Sequence, residues 1–410
     1  MPALSLLAAA AAAALSTITP ASAKAADGDA ADRWRIHWRH GTHLESPDGD
    51  VVLTLGGRLQ IDAAPYADGD GALSGVETGS ELRRARLHAQ GKHFDRFLWK
   101  VELDFSNPDA PIRDVYVGLQ GLGPGTLVIG HFKEPFALDD QTSNRYLTFP
   151  ERPTPVLALG FERNLGAMLF GRAAEDRVTW KVGAFQDMQE DGEILDGSQV
   201  HFTGRVTGVP LRRQEGTRLL HLGAALSLRD PPDGQLRFRA RPENHLLEDV
   251  LATPSFPAQD ARVLGLEAAL VHGPFHFQSE AFEVEVSSRE RGDPSFGGLY
   301  MQAGYFLTGE HRPYTTSGLS GGAFDRVRPK RPIERDWASG AWEIALRYSK
   351  VDLESALVGG GIAETWSATV NWYLNSWART LLTFVDAEGD DATGAEVSER
   401  GVVLRFQVDF

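Results

Sequence analysis

The chain has no cysteine, which excludes a disulfide scaffold, a thiolate metal site and cysteine catalysis. It is short of positive charge: 41 basic residues face 56 acidic ones, a formal charge of −15. A nucleic-acid binder needs a basic face to neutralise phosphates, so that class is excluded. Beyond the first two dozen residues no apolar run approaches the roughly 20 residues of a membrane helix. Helical stripes longer than about two turns are missing as well. No Gly-rich phosphate loop, zinc-type H-E-x-x-H or EF-hand loop occurs. The pairs Asp139-Asp140 and Asp390-Asp391 read as solvated carboxylates, so neither a metal nor a cofactor is assigned. At 42% hydrophobic residues the chain is too polar for a bundle of membrane helices. That content still suits a membrane barrel, whose strands are only half apolar. Its 410 residues fit two or three soluble domains or one large barrel.

What is abundant is alternation. Phe97, Trp99, Val101, Leu103 and Phe105 alternate with Leu98, Lys100, Glu102 and Asp104. Trp342, Ile344, Leu346 and Tyr348 alternate with Glu343, Ala345, Arg347 and Ser349, and residues 366–374 repeat the pattern. A period of two means strands with one apolar and one polar face. A soluble sandwich and a membrane barrel share that signature. Aromatics near strand ends (Trp99, Tyr348, Trp366, Trp372, Trp377) favour the barrel, where they form an interfacial girdle. Sixteen strands are expected, from 51–63 to 397–410, an even number as a closed bacterial barrel requires. The fold class is therefore all-β, a 16-stranded antiparallel transmembrane β-barrel with inward-folded loops.

The ends agree with export. Residues 1–23 combine an alanine-rich apolar run with Ala21-Ser22-Ala23, a secretory leader with its cleavage pattern but without the usual preceding Lys or Arg. Residues 24–50 are assigned to an N-terminal periplasmic segment and 51–410 to the barrel. The last strand ends on Phe410, with Leu404, Phe406 and Val408 on its apolar face, as in the assembly signal of outer-membrane proteins. Three long links interrupt the barrel: 133–161, read as a constriction loop, 230–259 on the extracellular side and 309–340 on the periplasmic side. Gln235 to Arg241 resembles a further strand, which would break the up-down parity and is placed inside its loop.

Chemistry is expected on the polar face. Arg84, Arg86, His88, Gln90 and Lys92 share one face of the second strand, and Arg58 lies on the matching face of the first. Further lumen cations are Lys100, Lys181, Arg205, Arg347 and Arg405, with Asp62, Glu102, Asp104, Asp114, Glu267 and Glu343 as lumen anions. Arg83 is out of phase and is expected to point outwards near an interface. Loop 133–161 carries Lys133, Arg145 and Arg152 and leads to Arg163. Fixed guanidinium forks in a constriction replace part of an anion's hydration; the same arginines equally fit ion pairs with Glu134, Glu151 and Glu162 that hold the loop. Arg326, Arg328, Lys330 and Arg331 in the periplasmic link read either as an anion attractor at that mouth or as a solvated charge run.

His43 to Asp50 running into Leu55-Gly56-Gly57-Arg58-Leu59-Gln60 resembles the opening of the phosphate-selective porin O/P family. Leu82-Arg83-Arg84-Ala85-Arg86, Gly130-His131-Phe132-Lys133-Glu134-Pro135-Phe136, Arg163-Asn164-Leu165-Gly166 and Asn371-Trp372-Tyr373-Leu374 extend the likeness over nearly the whole mature chain. The resemblance implies a homotrimeric outer-membrane barrel, bounded by lipid, that passes small anions such as phosphate by diffusion. It implies Arg84 and Arg86 as members of an arginine ladder, and Lys133, Arg145 and Arg152 as loop contributors. The scarcity of lysine and the acidic total depart from phosphate selectivity. A general porin with little anion preference is the alternative. An outer-membrane barrel enzyme, the remaining alternative, would need a nucleophile, base and orienting group in mutual reach.

Overall fold

A computed structural model describes residues 33–38, 40–67, 76–107, 112–161, 163–188, 197–247, 249–333, 339–390 and 393–410. The leader expected at 1–23 lies outside the described residues. Sixteen antiparallel strands form the wall. They are β1 (Val51–Ala67), β2 (Val76–His93), β3 (Phe97–Asp104), β4 (Ile112–Leu122), β5 (Gly125–Lys133), β6 (Arg163–Ala173), β7 (Val178–Gln186) and β8 (Val200–Arg213). The second half comprises β9 (Arg218–Arg229), β10 (Asp260–His272), β11 (Phe275–Ser287), β12 (Ser295–Phe306), β13 (Ala341–Asp352), β14 (Ile362–Tyr373), β15 (Ala378–Asp390) and β16 (Glu396–Asp409). β16 pairs back onto β1, with Arg405 opposite Asp62 and Asp409 opposite Arg58, so the sheet is closed. Closure satisfies every strand edge, the condition for a sheet to cross lipid. Where β16 ends, the short strand Thr42–Glu45 takes its place beside β1 and carries Arg35–Trp38 on its other edge.

The barrel is inside out relative to a soluble core. Leu87, Val117, Ile129 and Val182 are exposed on the outer face, whereas Arg347 and Arg405 inside are 0% exposed. Alternation fixes this choice, since a cation on the lipid side costs about 2–4 kcal/mol near mid-membrane. One strand breaks phase. Between Gln60 and Ile61 the register to β2 slips, leaving Arg83 as the extra residue between Leu82 and Arg84. Such a bulge turns two successive side chains to the same side. Arg83, expected to face outwards, instead reaches the lumen and binds Glu151.

Three segments fill much of the interior. The β5–β6 loop carries two short helices, Leu138–Gln141 and Thr154–Leu159. Its Phe136, Val156 and Leu159 pack with Val263, Phe282, Val284 and Val351 of the wall in an apolar cluster inside the barrel. The β9–β10 loop folds on itself, pairing Gln235–Leu236 with Phe256–Pro257 and Arg239–Ala240 with Leu251–Ala252, apart from the barrel sheet. The β12–β13 link forms a small hairpin, Tyr314–Thr315 with Ala323–Phe324. It packs on Leu138, Leu219 and Val271 within the lumen.

Candidate functional site in the loop-lined lumen

Burial locates the open space. The lumen-facing side chains of β8 to β16 are almost all buried against the inserted segments, Arg205, Glu267, Arg347 and Arg405 among them. Along β2 to β6 many are only half-buried: His88, Lys100, Asp114, Tyr116, Lys133 and Arg163. Ser143, Asn144, Arg145, Tyr146 and Arg152 of the β5–β6 loop are half-buried opposite them. The less buried lumen side chains thus lie off centre, between one wall and one loop.

The loop is held in place by its own backbone. Lumen side chains donate to its carbonyls: Arg379 to Leu147 (2.6 Å), Asn371 to Thr148 (2.9 Å), Arg347 to Glu151 (2.9 Å) and Gln407 to Arg145 (3.1 Å). Glu280 accepts the amides of Leu138 and Asp139 at 2.6 and 2.8 Å. Glu151 is the central anchor, receiving Arg83 at 2.9 Å, Arg405 at 2.7 Å and Arg84 at 3.3 Å. Burial alone raises a carboxyl's pKa, yet these three guanidiniums hold Glu151 well below the usual carboxylate range.

The cations expected in the pathway are gathered here but differ in freedom. Arg58 binds Glu102 at 2.6 Å and Arg86 binds Asp104 at 2.5 Å. Arg84 donates to Gln60 at 2.8 Å besides meeting Glu151. Lys133 pairs with Asp140 at 3.2 Å, Arg152 with Asp139 and Asp140 at 3.1 and 3.3 Å, and Arg163 with Asp114 at 2.6 Å. The sequence offered Glu134, Glu151 and Glu162 as partners for the loop arginines. Arg152 and Arg163 take Asp139, Asp140 and Asp114 instead, and Glu162 lies outside the described residues. Arg145 stands apart. Among the described residues no carboxylate lies within ion-pair distance; only its Nε meets Ser143 Oγ at 3.4 Å, and its guanidinium lies 5.3 Å from the Tyr146 ring centre. Burial lowers its pKa, but Tyr146, Asp409, Glu102 and Asp325 lift it above the usual arginine value, so its charge is secure.

In the β12–β13 link, Arg326 turns inwards, is buried, and pairs with Asp409 and with Tyr146. Arg328, Lys330 and Arg331 are exposed at the short-turn end. Sequence reasoning missed Glu243, which leaves the β9–β10 loop to bind Arg347 at 3.0 Å together with Ser349 and Ser367. A loop residue carries no period-two signal, so nothing local marked it. Glu134, Asp187 and His201 bring three ligand-type atoms within 4.8 Å of one another. Arg229 at 2.6 Å from Asp187 and Asn164 at 2.6 Å from Glu134 already fill that knot, which fits an ion network better than a cation site.

Residues 53–410 match the family model described as phosphate-selective porin O and P. The chain belongs to this family. Porin O of Pseudomonas aeruginosa is 27% identical over 92% of each chain. An uncharacterised protein of Caulobacter vibrioides is 30% identical, over 82% of this chain and 68% of its own. Among solved structures, the outer-membrane channel DcaP of Acinetobacter baumannii superposes with a TM-score of 0.58 at 12% identity. The anion-selective porin from Comamonas acidovorans does so at 0.55 and 13%; each comparison covers 88% of this chain, with 97% and 100% of the respective neighbours. The porin is thus an outer-membrane channel rather than an enzyme, and its lumen residues act by lining a path.

Proposed function

We propose that this porin passes small anions by diffusion, phosphate and related oxyanions among them. The observation that carries the reading is Arg145, a charged guanidinium half-buried beside the passage with no carboxylate within ion-pair distance among the described residues. Arg58, Arg86, Lys100, Lys133, Arg152 and Arg163 surround the same gap, and Glu102, Asp104, Asp114, Asp139 and Asp140 neutralise only part of that charge. Fixed donors lower the entry barrier for an anion, and several weak sites let it leave. Arg84 takes part by holding the loop through Glu151, and Arg328, Lys330 and Arg331 draw anions to the short-turn mouth. Export through a leader peptide and a homotrimeric state complete the reading. The trimer form of OmpT of Vibrio cholerae shares the fold at a TM-score of 0.53, and an unboiled gel with crosslinking reads out the state.

Reconstitution in a planar bilayer tests the proposal: in a potassium chloride gradient the reversal potential should report chloride preference, and millimolar phosphate should reduce the chloride current. Cation preference would overturn it. The dense pairing of lumen arginines favours a second reading, a general porin with little selectivity. Chloride current untouched by phosphate would leave that one standing.

A further inference from the structure

At the short-turn end of the barrel, a cavity of about 430 Å³ opens between the β4–β5 turn, the β6–β7 turn and the inserted β12–β13 link. Gln120, Thr126, Phe170, Arg172, Lys181 and Thr316 line it. Lys181 is the unusual member. It is 3% exposed, and its ammonium donates to Gln141 Oε1 at 2.7 Å and Leu319 O at 2.6 Å. No carboxylate lies within 4 Å of it among the described residues. Glu267 and Asp140, whose charges it feels, are already matched by Arg205 at 2.7 Å and by Lys133 and Arg152. An ammonium has three N–H donors, so Lys181 keeps one donor for the cavity. Arg172 at the rim is held by Asp176 at 2.6 Å.

Phe170 supplies the second half of the site. It belongs to an apolar cluster inside the barrel with Val128, Phe132, Met168 and Phe185, bordered by half-buried Leu98, Tyr116 and Leu319. A half-open cavity with one spare lysine donor beside an aromatic ring suits a solute carrying one negative charge and an apolar body. Phosphate fits poorly, because one free ammonium and a phenyl ring cannot replace its hydration shell.

We propose that this cavity is a binding site for small organic carboxylates with an apolar or aromatic body, occupied at the periplasm-facing end of the passage. Lys181 meets the carboxylate, and Phe170 covers the ring. The site rests on the reading that anions enter this lumen, yet its test separates the two. Short turns face the periplasm in such barrels, so benzoate added on that side of an oriented bilayer should block chloride current at millimolar concentration. Acetate, which lacks the ring, should be at least roughly tenfold weaker, as expected for burying one phenyl group. Lys181→Met should weaken the benzoate block by roughly tenfold or more, and Lys181→Arg should restore part of it. Thr316→Trp, which fills the cavity and leaves Lys181 in place, should abolish the block independently. The same bilayers give the reversal potential in potassium chloride. Cation preference with intact benzoate block would fault the transport reading alone. Equal block by acetate and benzoate, or a Lys181→Met channel that benzoate still blocks, overturns the site.

Discussion

Arg145 and Glu151 lie one short stretch apart on the same loop and do opposite work. In the proposed pathway Arg145 offers its charge to the solute. Glu151 spends its charge on Arg83, Arg84 and Arg405 to hold the loop. Arg145→Ala should therefore shift the chloride-to-potassium permeability ratio down roughly fivefold, the worth of about 1 kcal/mol for one charge at close range in water; a salt-gradient reversal potential measures it. Glu151→Gln should change a different property, loosening the loop and raising current noise. The sign of its pH dependence follows from a depressed carboxyl: the anchor is complete above about pH 4.5 and fails only as pH falls through its lowered value. Limited proteolysis at neutral and mildly acid pH, down to about pH 5, should find the wild-type loop equally protected and the Glu151→Gln loop cut throughout. The sequence made the inward cations visible because a strand's face is written in every second residue. It could not say which charges were already neutralised, since Asp114 meets Arg163, and Asp62 meets Arg405, only once distant strands have closed.

Among the elements, the strands were the readable part and the inserted segments the hidden one. Every wall strand appears within a few residues of where alternation put it, including the last, which ends on the Phe410 side of the closing seam. The bulge at Arg83 escaped because one extra residue reverses the phase without altering composition. The β5–β6 loop also owes its position to contacts the period cannot reveal. Its Phe136 meets Phe161 at 4.8 Å and Phe282 of the wall at 5.9 Å between ring centres. Removing that ring takes away packing worth about 3–5 kcal/mol. Phe136→Ala is expected to leave the barrel folded and to free the loop, seen as higher and noisier single-channel conductance.

For the whole molecule, one inversion governs stability: carbon outside, charge inside. Leu87→Arg on the outer face, 52% exposed, should lower stability by about 2–4 kcal/mol in refolding from urea into lipid vesicles if it lies near mid-membrane. The same charge at Thr383, inside the barrel and hydrogen-bonded to Thr369 at 2.7 Å, adds a crowding cost but no lipid penalty, so its effect should not depend on bilayer thickness. The off-centre placement of the less buried lumen side chains carries a consequence for inheritance. Because Arg86, Lys100, Lys133, Arg145, Arg152 and Arg163 all fall on β2 to β6 and the loop between them, most of the cations proposed to meet a travelling solute in the middle of the barrel come from one unbroken stretch of the gene. Grafting residues 84–163 into a related barrel should therefore transplant its ionic taste. The opposite wall, where most lumen side chains are buried against the inserted segments, answers chiefly to the demands of fit.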